Sequence, residues 1–329
     1  MIRLAARGAR ATWEPCCGHL PELWIDGAPV LHAAPWRENF AVQADAAIPL
    51  VDRRLGGTFA CAPFGRDDAD GGPPHGLSAN APWRTVRAAP GALVAERRLG
   101  RGRVRARLAL RDGHPALYQH HVLALDASST FAHHPMFGMA AGGRLSTTPP
   151  VAVLTFAGAD APRYHPDQHA TGWTLDTPQG PRDWRDYPAE PCEDFVALVH
   201  PPGLAFTALA REAEGNTVVT LKRAEQLPLT CLWISNGGRT APPWNGRRGV
   251  LGIEDARCAG ADGFAAALGS TWRADVPTAF PPGRHAIPHA ILRLPGRHEI
   301  TGVTLSPEAA TFETDTGPLA VPFDGSHLA

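Results

Sequence analysis

Three stretches of this sequence combine residue types that can move protons or hold a small polar ligand. The first is His75-Gly76, after Gly71-Gly72-Pro73-Pro74 and before Asn80-Ala81-Pro82-Trp83. A glycine beside a histidine lets a ligand or a second backbone approach closely. A surface-loop histidine is the plainer reading of the same residues. The second is the set His120, His121, His133 and His134. Neighbours on a strand point to opposite faces, so each pair offers one side chain to a common site. Two ligands fall short of the three protein ligands usual in catalytic zinc, and these four histidines have no H-x-H or H-x-x-x-H spacing among them, so no metal is expected. His134 runs into Pro135-Met136-Phe137, which places its imidazole at a strand edge near a pocket. An unperturbed pKa of ~6.5 suits such a group to take or give a proton near neutrality.

The third stretch covers residues 232–255. It reads Leu-Trp-Ile-Ser-Asn-Gly-Gly-Arg, then Pro-Pro-Trp-Asn-Gly-Arg, then Val-Leu-Gly-Ile-Glu-Asp. Trp233 and Trp244 offer flat apolar faces, and Asn236, Arg239, Asn245 and Arg247 offer fixed donors. Aromatic platforms with convergent donors suit a small polyhydroxylated ligand, whose C–H faces stack while its hydroxyls hydrogen-bond. Trp83 and Arg66 are further candidates for holding it. Glu254 follows apolar and small residues at a strand end, where a carboxylate must be partnered or functional. Arg66, Arg182 and Arg185 lie in long loops and could grip a phosphate or carboxylate, or be solvated loop charge.

Several chemistries are excluded. Lys222 is the only lysine and is followed by Arg223, so there is no Gly-Lys-Ser/Thr phosphate loop, and Schiff-base chemistry would rest on Lys222 alone. There is no G-x-S-x-G elbow, no H-E-x-x-H, no G-x-G-x-x-G after a strand and no EF-hand pattern. Cys16, Cys17, Cys61, Cys192, Cys231 and Cys258 contain no C-x-x-C pair, which disfavours structural zinc and leaves free thiols in a reducing compartment. The 31 basic and 32 acidic side chains balance, which argues against a nucleic-acid partner. No apolar run reaches the ~18 residues of a membrane span, and the basic start of the chain lacks the apolar core of a signal peptide. The expected location is cytoplasmic, with no membrane partner.

The elements that must position these residues are strands. The 34 glycines and 33 prolines are each about a tenth of the 329 residues and are spread evenly, which rules out a helical bundle. Residues 104–110 alternate apolar and arginine, a period of two, and residues 116–125 form the hairpin partner across Arg111-Asp112-Gly113-His114-Pro115. Further strands are expected at 151–156, 195–199, 204–209, 217–221 and 229–235, with a turn at Glu214-Gly215-Asn216. The helix candidate is short, at 261–268. Segments 66–74 and 157–191 read as long turn-rich loops. The pattern predicts an all-β chain, a large sandwich or barrel forming one domain over residues 1–329.

With these residues in view, the sequence resembles the aldose 1-epimerase (galactose mutarotase-like) superfamily, in a divergent branch. Pro74-His75-Gly76 looks like the family's early His-Gly step. His134-Pro135-Met136-Phe137 is similar to its second histidine with an aromatic shortly after. Leu251-Gly252-Ile253-Glu254 looks like the late strand that presents its catalytic glutamate. The resemblance implies a large twisted β-sandwich (a supersandwich) with a sugar-sized cleft, no cofactor, and interconversion of the α and β anomers of a free sugar. It implies Glu254 as base, His134 as acid, and His75 holding hydroxyls and developing charge. A glutamate would be ionised at neutral pH while a histidine stays partly protonated. His133 stands where the family usually has Asn or Thr. The family's acidic substrate-binding residue falls in an interval holding Asp176, Asp183, Asp186 and Asp194. A non-catalytic sugar-binding or sugar-sensing module on the same scaffold would need the tryptophans and arginines but not the proton-transfer pair. A histidine-bound metal enzyme on a cupin-like barrel is the third alternative.

Overall fold

A computed structural model describes residues 1–329. Two antiparallel sheets, of twelve and eight strands, dominate it. The expected strands lie within Gly102–Leu110, Ala116–Leu125, Ala152–Thr155, Cys192–Val199, Leu204–Arg211, Asn216–Arg223 and Leu229–Asn236. The 261–268 helix is reduced to a 3-10 turn at Gly260–Asp262 and a short helix at Phe264–Ala267. The loop at 157–191 carries three two-residue strands, two of them paired with each other. Strands Ile2–Ala6, Ala9–Glu14 and His19–Ile25 extend one edge of the larger sheet and were not among the expected elements. No helix is long and apolar enough to cross a membrane.

Period-two alternation divides the apolar residues among three layers. Between the sheets lie Leu93, Val104, Leu117, Val218 and Ile291 from the smaller sheet, and Phe131, Leu198, Leu232, Leu251 and Ile253 from the larger. The outer face of the smaller sheet is covered by a three-stranded sheet through Phe312, Val321 and Phe323. The outer face of the larger sheet carries Cys61, Cys231, Trp233 and Val250, covered by Trp36, Val51, Leu55 and Phe64.

One polar cluster crosses the inter-sheet core. Asp255, on strand Val250–Arg257 of the larger sheet, accepts from Lys222 Nζ at 3.0 Å, His289 Nε2 at 2.9 Å and Thr230 Oγ1 at 2.6 Å. Lys222 and His289 come from the smaller sheet, and Lys222 also donates to the Leu229 carbonyl at 2.5 Å. Burial alone would raise the Asp255 carboxyl. The Lys222 charge and the hydrogen bonds from His289 and Thr230 overcome it and hold Asp255 well below the usual carboxylate range. The chain's one lysine is therefore spent on joining two sheets. It lines no cavity and is not placed for Schiff-base chemistry.

A buried ion pair is weak evidence for stability, but removing one partner leaves the other charge uncompensated. We expect Asp255→Asn to destabilise the protein by about 3–5 kcal/mol in urea unfolding. The double change Asp255→Leu with Lys222→Met should recover most of that loss. Equal destabilisation by the single and double variants would show that the pair does not act as a unit.

Candidate active site

The site begins with strand register. Strand Phe131–His133 pairs with Val250–Arg257 through His133↔Asp255, and Met136–Gly138 pairs with the same strand through Met136↔Gly252. The register is unchanged across the gap, where Pro135 interrupts the ladder. His134 therefore stands directly opposite Glu254. Its Nε2 lies 3.0 Å from Glu254 Oε1, and both side chains are buried. The row continues on both sides. Cys231 faces Glu254 across the next strand, while Phe59 stacks on His134 at 4.5 Å and His19 on Phe59 at 4.4 Å.

The same alternation sends the neighbours of this pair the other way. His133 and Asp255 face the inter-sheet core, where His133 stacks on His289 at 4.2 Å. His121 also lies there, 4.8 Å from His133. Each pair thus sends one histidine, His121 and His133, to the inter-sheet core, while His134 faces the cavity.

Above the pair is a cavity of about 210 Å³ lined by His75, His134, Glu254, Trp233, Trp244, Arg239, Arg66 and Asp52, with Phe64 and Phe195 among the apolar residues. This is below the ~300–1,000 Å³ of pockets for drug-sized ligands and suits something smaller. Gly252 opens its floor. A Cβ there would come within 2.9 Å of Glu254 Oε1 and 3.3 Å of Trp233, so a side chain would fill the space between them.

His75 reaches the cavity from a strained turn. Its φ is +61°, a left-handed conformation that few non-glycine residues adopt. At Gly76 a Cβ would meet the Ala62 carbonyl at 2.1 Å, which requires glycine. The Gly65 N–H donates to His75 Nδ1 at 3.4 Å. The imidazole proton is thereby placed on Nε2, which is left as a donor.

The side wall is aromatic and cationic. Trp244 meets Trp233 at 5.7 Å and Trp36 at 4.9 Å, both edge-on. The Arg239 guanidinium lies 4.6 Å over the Trp244 ring and its Nε donates to Glu193 Oε1 at 3.1 Å. The Trp233 Nε1–H donates to the same oxygen at 2.6 Å. Arg247 packs behind, 5.1 Å from both Trp36 and Trp244.

Two candidates fall outside the cavity. Trp83 is buried in the inter-sheet core, donating from Nε1 to the Ser78 carbonyl at 2.8 Å and meeting Trp13 edge-on at 5.7 Å. Asn236 is buried and spans three backbone groups, donating to the Pro188 and Glu190 carbonyls and accepting from the Gly249 N–H. Both satisfy backbone rather than ligand. The loop arginines separate too. Arg66 lines the cavity, whereas Arg185 is held by Asp183 at 2.6 Å and stacked on Trp173, and Arg182 does not line it. Asp176, Asp183, Asp186 and Asp194 are all absent from the lining. Asp52, on helix Leu50–Arg53, is the aspartate present there instead. Nothing in its sequence context marks it.

Burial shapes the charges. It pushes the Glu254 carboxyl well above its usual value, reinforced by Cys258 and opposed by Arg239. It pushes His134 well below, with His75 adding to the effect. Burial and then Arg239 lower His75 to about 4. Burial therefore favours the uncharged form of each group, a direction opposite to that expected from an ionised glutamate beside a partly protonated histidine.

No family model matches the chain, and no curated protein matches it by sequence. Solved structures do match. A provisionally assigned aldose 1-epimerase from Escherichia coli K12 covers 88% of this chain and 97% of its own, at TM-score 0.60 and 14% identity. The Slr1438 protein of Synechocystis sp. PCC 6803 covers 89% and 95%, at 0.61 and 15%. The chain has the galactose mutarotase-like fold. A galactose mutarotase related enzyme from Lactobacillus acidophilus shares that fold over 92% of this chain and 99% of its own, at 0.56 and 10% identity. In the present version of the galactose mutarotase-like fold, the cavity opens on the outer face of the larger sheet.

The protonation states have a direct readout. In histidine-selective NMR of the free protein, His134 and His75 are expected to keep neutral-imidazole shifts from pH 8 down to about 5.5, below the ~6.5 of an unperturbed histidine. A His134 midpoint near 6.5 would mean that the pair is open to water.

Proposed function

We propose that this protein interconverts the α and β anomers of a free aldose. The observation that carries the reading is the buried His134–Glu254 contact of 3.0 Å at the floor of a small cavity walled by tryptophan. Anomerisation moves a proton between two oxygens bonded to one carbon, the anomeric hydroxyl and the ring oxygen. An acid and a base in mutual contact can reach both.

The one-proton pair has two forms, carboxyl with imidazole and carboxylate with imidazolium. Substrate hydroxyls entering the cavity supply hydrogen bonds that the dry site lacks, and Arg239 favours the carboxylate. In the ionised form Glu254 removes the anomeric proton and His134 protonates the ring oxygen. The C1–O5 bond breaks, giving the open-chain aldehyde. Rotation about C1–C2 and reversal of the steps close the ring on the other face of the carbonyl. His75 Nε2–H is a donor for the developing charge on the anomeric oxygen. Trp233 and Trp244 offer stacking faces, while Asp52, Arg239 and Arg66 would hold the remaining hydroxyls. No step calls for a cofactor. We also propose that residues 1–329 act as one domain, since the inter-sheet core draws on residues from Leu4 to Ile291.

Exchange NMR on a panel of aldoses tests the reading. Enzyme-dependent exchange of anomeric signals is expected for at least one sugar, falling by ~10²–10⁴-fold in Glu254→Gln. Glu254→Gln matching wild type on every sugar would refute the role of Glu254. Binding without exchange would make the protein a sugar-binding module.

The pH profile is a second check. Activity requires one proton on the pair. It is lost as pH falls through the depressed His134 pKa, when both groups are protonated, and as pH rises through the raised Glu254 pKa, when both are deprotonated. kcat/KM is therefore expected to be flat across neutrality, with its acid limb below histidine's usual ~6.5. A midpoint at 6.5 would contradict it.

A further inference from the structure

The turn between strands Ala9–Glu14 and His19–Ile25 sets two cysteines side by side, outside the cavity. Cys16 is exposed and Cys17 fully buried, with the Cys16 thiol directed at Cys17 Sγ 4.0 Å away. Cys17 Sγ also lies 3.6 Å from Glu14 Oε2. Glu14, Cys16 and Cys17 bring one ligand atom each within 4.8 Å of one another, which raises the question of a metal. The carboxylate is already engaged. Arg37 binds Oε2 at 2.5 Å and Arg54 binds Oε1, and two guanidinium charges repel a further cation. The same surroundings favour a thiolate. The contact between the two thiols divides them: it brings Cys16 down to about 6, against burial and with help from the Arg37 charge, and together with burial it holds Cys17 well above the usual thiol range, so Cys16 is the one to ionise.

We propose that Cys16 and Cys17 form an oxidisable dithiol whose oxidant is a hydroperoxide. The Cys16 thiolate attacks a peroxide oxygen and the O–O bond breaks. With hydrogen peroxide the departing hydroxide takes a proton and leaves as water, and Cys16 becomes a sulfenic acid. Cys17 sulfur then attacks Cys16 sulfur, the S–O bond breaks, and the hydroxyl leaves as a second water with the Cys17 proton. Two thiols lose two electrons to form one disulfide, and one peroxide becomes two waters. Exposed Cys16 can rotate towards its partner, and Cys17 needs no second chain segment to reach it. Neighbouring Cα atoms are ~3.8 Å apart, shorter than the usual ~4.4–6.8 Å of disulfides, so the bond is strained and readily reduced.

The position of the pair matters to the candidate site. Cys17 contacts the carboxylate that ties Arg37, on the 3-10 turn Pro35–Glu38, to Arg54, at the end of helix Leu50–Arg53. Those two segments carry Asp52 to the cavity wall and Trp36 to the back of it, against Trp244.

The test uses the reduced full chain with near-stoichiometric hydrogen peroxide, read by intact mass and peptide mapping. Wild type is expected to lose two hydrogens, mapping to a Cys16–Cys17 bond, and to regain them with dithiothreitol. Cys16→Ser, at an exposed position, should lose none. Cys17→Ser should stop at a dimedone-reactive sulfenic acid on Cys16. Cys231 and Cys258, also 4.0 Å apart but fully buried, serve as the internal control. Sulfinic or sulfonic acid at Cys16 without a disulfide, the same two-hydrogen loss in Cys16→Ser, or no reaction would each overturn the proposal.

Discussion

Strand alternation at two adjacent positions governs this molecule. Glu254 and Asp255 are neighbours, yet one carboxyl faces the cavity and the other faces the inter-sheet core. Opposite them, His134 and His133 divide in the same way. A slip of one residue in this strand would exchange the two sets. Asp255 would be turned out of the core, away from Lys222, His289 and Thr230, and Glu254 would be turned between the sheets. The buried ion pair thus penalises a register that reverses the two faces. Its value lies more in that specificity than in net stability.

The second constraint is dryness. Glu254 shares its surroundings with the thiols of Cys61, Cys231 and Cys258, and His134 is packed under Phe59. Both side chains are nearly fully buried, so desolvation moves their pKa values away from normal in opposite directions, each towards its uncharged form. Both groups answer to one cause, which is why a change in cavity hydration would act on them together. Arg239 is the counterweight. It opposes the rise of Glu254 and that of Asp52, and reinforces the fall of His75.

Much of this was legible in the sequence where a period could be read. The hairpin at 102–125 follows from alternation and the strand holding Trp233 from its turn-bounded apolar run, whereas Glu254, expected at a strand end, lies within Val250–Arg257. His75, His134 and Glu254 could be singled out by type and context, and the fold brings all three to one cavity. What was lost is what depends on distant partners. Trp83 and Asn236 resemble ligand-binding residues in isolation, but their polar atoms satisfy backbone groups of Ser78 and of residues 188–190 and 249. Asp52 sits in a Leu-Val-Asp-Arg run with no motif, and only the packing of its short helix against the sheet face brings it to the cavity. The pKa shifts were not legible for the same reason: unperturbed values describe fully solvated residues, and both side chains are nearly fully buried.

The arginine–tryptophan wall shows how the site keeps its shape. Glu193 is buried and bound on one oxygen by both Trp233 and Arg239. That single oxygen fixes an indole edge and a guanidinium plane relative to each other. Trp244 is then held between Arg239, Arg247, Trp233 and Trp36. A ligand entering the cavity meets faces and donors already oriented, so little side-chain entropy remains to be lost on binding. Under the proposed reading, this order places the apolar face of a sugar ring against the indoles and its anomeric carbon at the Glu254–His134 pair. Rotating the ring to present another carbon would turn hydroxyls onto the aromatic wall. On that reading the wall would select the reacting carbon, and the pair beneath it would supply the proton.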